Sequence, residues 1–285
     1  HAARAIEEAQ QRLSETLEEI GKRFPGSLWV DRYRSGGRVL RASQHGPILA
    51  FCVRTGPRVA PALIDGMRSN DREARYYAAL ACAEVRTLEL LPALSQRLFD
   101  ADYGVRTAAV QALLGYGASD LDRVFEPLRH ALHGEAAHAR LAAFALGELR
   151  DVRAIVELMD VLESDNTTGE EARRALVVLT KQDFGTKKRK WRAWWKKNRF
   201  RPRLEWMLDG LGHSSDAVRL SASEELKRLT GEFFGYHHDL PKREREEARQ
   251  RWLRWWQTTG RVRFLRESGQ DEASRATGVL PTLPE

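Results

Sequence analysis

The stretch Asp71-Arg-Glu-Ala-Arg75-Tyr-Tyr-Ala-Ala-Leu-Ala81 decides the fold, because a related stretch follows it as Asp102-Tyr-Gly-Val-Arg106-Thr-Ala-Ala-Val-Gln-Ala-Leu113. Each copy has an Asp suited to cap a helix, an Arg four residues later and then an Ala-rich apolar run. An arginine in a similar setting returns at Arg140, Arg173 and Arg219, so the successive spacings are 31, 34, 33 and 46 residues. A repeat of this length is typical of stacked helix pairs.

The pattern resembles HEAT or armadillo-type repeats over residues 47–265, with an Asp in the turn and an Arg near the start of the second helix. The resemblance implies an all-α fold, an α-solenoid wound as a right-handed superhelix of about five to six helix pairs. We expect units over 47–68, 57–84, 88–115, 121–148, 152–198 and 200–258. The motif is predicted to form a structural ladder of Asp71, Arg75, Asp102, Arg106, Arg140, Arg173, Asp216 and Arg219. The third and fourth units lack the turn Asp, so the ladder is incomplete there.

The segments on either side of the repeats have different patterns. Residues 1–46 begin with a polar helix over 1–23, in which Ile6, Leu13 and Ile20 make a narrow apolar stripe. We expect this helix to dock on the first repeat or to act as a linker. A short hairpin is expected around Gly36-Gly37, with arms at 28–30 and 38–40. Residues 266–285 are polar and contain Gly and Pro, and we expect them to form a flexible tail.

A second duplication lies on top of the first. Leu179-Thr-Lys-Gln-Asp-Phe-Gly185 is echoed by Leu229-Thr-Gly-Glu-Phe-Phe-Gly235, and each copy is followed by a Trp-rich helix. The indoles are Trp191, Trp194 and Trp195 in the first copy and Trp252, Trp255 and Trp256 in the second. Tryptophans at i, i+3 and i+4 share one helix face, so we predict structural clamps that bury an extra helix in each module. The alternative is an exposed aromatic platform for bases or for a partner protein.

Positive charge is concentrated in residues 187–203, which carry ten Lys or Arg and no acid. With these ten subtracted from the net charge of +7, the rest of the chain has a net charge of −3. The cations are Lys187, Lys188, Arg189, Lys190, Arg192, Lys196, Lys197, Arg199, Arg201 and Arg203. The segment is interpreted either as a solvated helix face or as a binding surface for an anionic partner, which could be nucleic acid, an acidic protein or anionic lipid. The second interpretation has physical support, because like charges at i and i+4 destabilise a helix and an anion relieves them.

The residue types that carry catalysis do not fall into a recognised pattern. The eight histidines lack the spacing of a zinc-hydrolase helix, and the chain has no glycine-rich phosphate loop or nucleophile elbow. We therefore expect no catalytic residue, metal or cofactor. Cys52 and Cys82 lie in apolar helical surroundings, so we expect buried free thiols, a reducing compartment and a cytoplasmic location. No apolar run reaches the roughly 18 residues that a membrane span requires.

The chain also resembles the alkylpurine DNA glycosylases built from HEAT-like repeats, which are likewise basic, Trp-containing helical solenoids. No stretch matches the glycosylase residues one by one, so no catalytic role carries over to this sequence. The sequence predicts a non-enzymatic scaffold that binds another macromolecule, in the first place a protein. The alternative is a nucleic-acid-binding solenoid, with a glycosylase-like enzyme as its extreme form.

Overall fold

The computed structural model describes residues 2–33 and 40–267, and these residues are helical with connecting turns and contain no strand. The predicted all-α fold is thereby confirmed. The α-helices are α1 (Ala2–Arg23), α2 (Pro47–Thr55), α3 (Ala60–Arg68), α4 (Arg72–Ala81), α5 (Leu91–Arg97), α6 (Tyr103–Leu113), α7 (Ala118–Ala131), α8 (Ala136–Glu148), α9 (Ile155–Asp160), α10 (Asn166–Thr180), α11 (Lys188–Asn198), α12 (Arg203–Gly210), α13 (Asp216–Thr230), α14 (Lys242–Trp255) and α15 (Arg261–Glu267). A π-helical turn, Trp256–Gly260, joins α14 to α15.

The predicted hairpin is wrong in its first arm, because residues 28–30 form turns and bends. Residues 34–39, which hold its glycines and most of its second arm, lie outside the described residues, as does the predicted tail beyond residue 267. In place of a strand, the segment before residue 34 carries an anchoring side chain, Arg32. Its guanidinium lies 2.8 Å from a carboxylate oxygen of Glu73 and 2.9 Å from one of Asp102. The Tyr77 hydroxyl accepts the backbone N–H of Arg32 at 2.8 Å.

The chain divides into two compact units, His1–Glu126 and Pro127–Glu285, with the boundary inside α7. In the first unit α4 packs between α3 and α6, and in the second α8 packs against α10. Small residues set these close approaches. A Cβ on Gly147 of α8 would lie 2.8 Å from the Cα of Ala175 in α10, so no larger residue fits without moving the helices apart. The alanines of α4, α6 and α8 are buried at equivalent places, as the sequence pattern indicated.

A recurring arginine closes the turn ahead of a helix in both units. Arg75, Arg106 and Arg219 each lie four residues after the N-cap of their helix. In each case Nη1 donates to the carbonyl oxygens six and five residues earlier, at N···O distances of 2.6–3.0 Å. Arg245 of α14, which the sequence analysis did not single out, holds the same place after its N-cap and donates to the Leu240 carbonyl at 2.6 Å. The arginine thus satisfies backbone acceptors that the turn leaves without helical partners.

Asp100 links this arginine contact from one repeat to the next. Arg75 donates to its two carboxylate oxygens at 2.7 and 3.1 Å, and Arg97 donates at 3.0 Å. The carboxylate side chain is only 3% exposed. Burial alone raises the pKa of Asp100, but the hydrogen bonds from Arg75 and from the Asp102 N–H outweigh it, so the pKa lies below its ordinary value.

The turn aspartates of the predicted ladder have different roles. Asp71 and Asp102 are N-caps whose carboxylates accept first-turn N–H groups of α4 and α6. The prediction that the fourth unit lacks a turn Asp is wrong, because Asp165 caps α10 in the same way. Asp216 is exposed and lies inside α13, where it forms an ion pair with Arg219, while the N-cap position is held by Ser215. An Asp one residue inside the helix cannot cap it, and it instead supplies negative charge to the first turn.

The ladder prediction is wrong for Arg140. This side chain is exposed and makes no hydrogen bond or ion pair with a described residue. Arg140 lies five residues after the N-cap Glu135, not four, and one extra residue rotates a side chain by about 100° around a helix. Arg173 is also off the pattern, since it donates to Asp183 at 2.6 and 2.8 Å and to Glu170 at 2.9 Å and not to a turn carbonyl.

The Trp helices α11 and α14 pack on their modules as the sequence predicted, but burial of their indoles is uneven. Trp191 and Trp252 are fully buried and meet Phe184 and Phe234 edge-on, with ring centroids 4.9 and 4.8 Å apart. The Trp191 Nε1 donates to the Gly185 carbonyl at 2.7 Å.

The prediction that all six indoles are buried is correct for the two above and for Trp256, and wrong for Trp194, Trp195 and Trp255, which are half-buried. Positions i+3 and i+4 lie on opposite flanks of position i, so these three indoles lie at the edge of the contact, and of the flanking indoles Trp256 alone is covered. Trp194 and Trp195 both lie against Trp206 of α12, with centroids 5.4 and 5.8 Å away.

Replacing Asp100 with Asn is expected to lower the free energy of unfolding by about 3 kcal/mol at pH 7, because it leaves Arg75 without its buried counter-charge. The difference from wild type should shrink as the pH falls. A carboxyl whose folded pKa is lowered contributes stability that is present above its unfolded pKa and is lost as the pH drops through the folded pKa. Denaturant unfolding at pH 7 and at about pH 3 measures both effects. Arg140→Gln is the matched control and should cost no more than about 0.5 kcal/mol. Equal losses from the two variants would show that the arginine contact does not stabilise the repeats.

Trp191→Ala is expected to lower the free energy of unfolding by about 3–5 kcal/mol, since it removes a fully buried indole and leaves a cavity. Trp195→Ala should cost about half as much, because its indole is already partly in water. Trp29, which is 65% exposed, provides the control, and Trp29→Ala should have little effect. The clamp interpretation fails if denaturant midpoints of the Trp191 and Trp29 variants coincide.

Candidate functional site

The ten cations of residues 187–203 divide into two groups in the structure. Lys188 and Arg192 both contact the Asp160 carboxylate, at 3.1 and 2.7 Å. Burial raises the pKa of Asp160, but its hydrogen bonds from Arg192 and Lys188 outweigh this and lower the pKa below its ordinary value. Asp160 closes α9, so these two cations fasten α11 to its neighbour.

Arg201 and Arg203 are also occupied within the fold. Arg201 contacts Glu205 at 2.9 Å and Asp209 at 2.8 Å, both on α12. Arg203 is largely buried, and its Nη2 lies 2.7 Å from a carboxylate oxygen of Glu225 on α13. Four of the ten cations predicted to face an anionic partner are thus engaged by carboxylates of this chain, namely Arg201 and Arg203 here and Lys188 and Arg192 at Asp160. The carboxylates that pair with these four cations lie outside residues 187–203, so the sequence of the basic segment does not reveal them.

The other six cations form no ion pair with any residue in the described ranges, and all six are exposed. They are Lys187, Arg189, Lys190, Lys196, Lys197 and Arg199. Helical spacing places the central four around Ala193, on the face of α11 opposite Trp191. We call these six residues the basic face.

The basic face is electrostatically unfavourable for the isolated fold. The first turn of α11 has no acid and its N-cap, Lys187, makes no side-chain cap. Cations at this end of a helix oppose the helix dipole, and like charges three and four residues apart repel. An anion bound at this face would remove both penalties. The arrangement can therefore bind negative charge, and it brings together no nucleophile, acid or base.

The second Trp module shows which of these charges the fold requires. Alignment on the tryptophans places Arg189, Lys196 and Lys197 of α11 opposite Gln250, Gln257 and Thr258 of the second copy. The second module packs its indoles with neutral residues at those three positions. Packing of a Trp helix thus does not require the three cations of the first module.

An exposed aromatic residue continues the basic face beyond α11. Phe200 is 85% exposed, and the Arg199 guanidinium lies over its ring, 4.6 Å from the centroid. In the second module the corresponding Arg-x-Arg stretch has Val262 at this place. Arg199 follows Trp195 by four residues, whereas Arg261 follows Trp256 by five. The π-helical turn Trp256–Gly260 accommodates this extra residue.

A buried ion cluster holds the end of the basic segment in place. Glu225 lies 2.6 Å from Lys181 and 3.5 Å from Arg150, in addition to its contact with Arg203. Burial raises the pKa of Glu225, but Arg203, Lys181 and Arg150 outweigh it and hold the pKa below its ordinary value. Lys181 has a left-handed backbone with φ of 57°, where the duplicated module has Gly231 with φ of 72°. The sequence alone did not predict this cluster. Lys181 stands opposite Gly231 in the duplication, and a Lys at a position that favours Gly is a sign of a special contact.

Other chemistry is sparse in the described part of the chain. No group of three or more His, Cys, Asp or Glu side chains among those residues could hold a metal ion. Both cysteines are buried and unpaired, and burial raises the pKa of Cys52 to about 11. Buried thiols of this kind are poor nucleophiles. None of the described helices is both long enough and apolar enough to cross a bilayer.

Comparison with known proteins identifies the repeats. Residues 60–143 match the family model for HEAT repeats, and residues 139–164 match the model for the PBS lyase HEAT-like repeat. No curated protein matches the chain. Among solved structures, the chain is similar to an engineered protein whose crystal structure comes from the Northeast Structural Genomics Consortium. The two are 20% identical, the match covers 76% of this chain and 97% of the other, and the TM-score is 0.35. The first match covers the turns that Arg75 and Arg106 close. Residues 60–164 of the chain are therefore HEAT-type repeats.

Proposed function

We propose that the protein is a non-enzymatic scaffold that binds another macromolecule, in the first place a protein, and that the basic face of α11 makes contact with negative charge on that partner. HEAT repeats stack into extended surfaces that serve for binding, and the matches over residues 60–164 support this general role. Two buried free thiols favour a reducing compartment, which we take to be the cytoplasm.

The observation that carries the proposal is the difference between the paired and unpaired cations. In this unit the fold neutralises buried or half-buried cations with carboxylates from other helices, as it does Lys188 with Asp160 and Arg203 with Glu225. It leaves six exposed cations on one helix without such partners. The duplicated module packs its central indole in the same way with neutral residues at the positions of Arg189, Lys196 and Lys197. A role in binding explains this charge, whereas packing does not.

A triple substitution that copies the second module tests the proposal. Arg189→Gln, Lys196→Gln and Lys197→Thr remove three charges and introduce residues that the chain itself uses at the equivalent positions. We expect the triple variant to elute from a heparin column at clearly lower salt than wild type, because contacts with a polyanion depend on local cation density. Its helical circular dichroism should not change, since all three side chains are exposed.

The matched control removes three exposed cations from α14, by Lys242→Gln, Arg243→Gln and Arg254→Gln. It changes the net charge by the same amount, so it separates the basic face from overall charge. We expect its elution to stay close to that of wild type. If both triple variants shift equally, the contact is not made by α11 and the proposed function loses its site.

A further inference from the structure

Phe200 is more exposed than any other large apolar side chain of the described residues. One face of its ring is covered by the Arg199 guanidinium, 4.6 Å from the centroid, and the rest of the ring lies in water. An exposed phenyl ring is unfavourable in water, and the cation holds it beside the row of positive charge. A flat π-surface next to cations is the arrangement on which a nucleic acid base stacks.

The composition of the basic face also favours phosphate over protein carboxylate. Four of its six cations are lysines, and two are arginines. Lysine is depleted at protein–protein interfaces, where arginine and aromatic residues dominate. Lysine binds phosphate as a flexible point charge, while arginine is preferred where a carboxylate is held in a fixed two-bond geometry. A lysine-rich row with one aromatic residue at its end therefore fits a phosphate backbone better than an acidic protein surface.

The internal duplication indicates that the aromatic residue and the cations belong together. The second module lacks the three cations opposite Gln250, Gln257 and Thr258, and it also has Val262 in place of Phe200. These three cations and the aromatic residue are present in one copy and absent from the other, although Trp191 and Trp252 make the same ring contact in the two copies. The joint difference is expected if the two features form one binding surface.

A membrane surface is a poorer match for the same residues. A helix that lies on a bilayer turns an apolar face toward the lipid chains. The apolar face of α11 is the Trp face, and it packs on Phe184 and on Trp206 of α12. Apart from Ala193, the exposed face of the helix is polar, so Phe200 alone would enter the lipid.

We infer that the basic face of α11 and Phe200 bind a single-stranded nucleic acid, with phosphates on the cations and a base on the Phe200 ring. The inference rests on the proposed function in taking the basic face as the anion-binding surface, and it replaces the protein partner at this face with a nucleic acid. The cations from Arg189 to Arg199 span about 15 Å along the helix, which is long enough to follow several consecutive nucleotides.

The test is fluorescence anisotropy of a labelled oligothymidylate of about 12 nucleotides, a length within the range that such sites cover. Binding to the full chain is measured between about 50 and 200 mM KCl. We expect wild type to bind with a steep dependence on salt. The triple variant Arg189→Gln, Lys196→Gln and Lys197→Thr should bind more weakly, with a log–log slope shallower by about 2, since each phosphate contact on a single strand contributes about 0.7.

Phe200→Ala should weaken binding by about 5- to 150-fold and leave the salt slope unchanged, because it removes a stacking surface and no charge. Phe200→Trp should keep the affinity. The matched control is Phe233→Ala, since Phe233 is 50% exposed and has the Lys227 ammonium 5.4 Å from its ring centroid, yet lies outside the basic face. The base-stacking assignment is overturned if Phe200→Ala binds the oligonucleotide as tightly as Phe233→Ala does.

Two further probes separate this inference from the proposed function. An oligoglutamate peptide and vesicles of phosphatidylcholine with phosphatidylserine are offered to the same variants. If either binds through the basic face and the oligonucleotide does not, the nucleic acid assignment is wrong while the anion-binding scaffold stands. If heparin retention also fails to depend on the three cations, the proposed function itself is wrong.

Discussion

The structure depends on one contact, the arginine that reaches back from the start of a helix to the two carbonyl groups of the preceding turn. Turns leave backbone acceptors without helical partners, and a buried acceptor without a donor is costly. Arg75, Arg106 and Arg219 meet this need with nearly the same geometry, and Arg245 does so at one of the two carbonyl groups. Because a guanidinium carries five donors, the same side chain can also reach outward, as Arg75 does to Asp100. A contact that closes a turn and ties it to the next repeat can be copied along a chain, and this makes a solenoid possible.

Because a buried polar or charged group without a partner is costly, the degree of burial explains which cations have a carboxylate partner in the fold. Within the second unit, cations that the packing encloses receive carboxylates from neighbouring helices. The most enclosed example is Lys181, which keeps a left-handed backbone that its duplicate reserves for Gly231. Such a backbone costs a non-glycine residue about 1 kcal/mol or more, so the cluster around Glu225 must offset that strain. The six cations of the basic face have no carboxylate partner among the described residues, although repulsion among them destabilises the helix.

The sequence predicted features whose cause is local, and it failed where the cause is distant. The helix pairs follow from apolar periodicity and from N-caps such as Asp71 and Asp102, all of which lie within a few residues of what they determine. The place of the arginine is also local. In the structure the arginine that closes a turn lies four residues after the N-cap, as Arg219 lies after Ser215, whereas Arg140 lies five residues after Glu135. The sequence had taken Asp216 as the turn residue of Arg219. The spacing of 31 to 46 residues between successive arginines does not separate Arg140 from the arginines that close a turn.

The errors at the candidate site have a different origin. Arg203 was assigned to a binding surface because its neighbours in sequence are basic, but its partner Glu225 is 22 positions away on α13. Arg32 was missed for the same reason, since its carboxylates lie on helices that the sequence alone does not bring together. The exposure of Phe200 was likewise invisible, because an aromatic residue in a helical repeat is usually buried. The partners of Arg203 and Arg32 and the exposure of Phe200 can be predicted only when it is known which helices pack together.

The duplication supplies what a single sequence otherwise lacks, a second solution to the same packing problem. Where the two Trp modules agree, as at Trp191 and Trp252, the shared residue is explained by the contact both copies make. Where they differ on the surface, packing is satisfied in either way and cannot be the reason for the choice. The cations of α11 at Arg189, Lys196 and Lys197 are such surface differences between the two modules. The charge of α11 opposes the helix dipole at its first turn, it is not demanded by the core, and it is accompanied by an exposed ring that water alone would not favour. The copy has neutral residues opposite Arg189, Lys196 and Lys197, and a valine in place of Phe200. This difference between the copies supports the proposal that binding, and not the stability of the helix, accounts for the surface of α11.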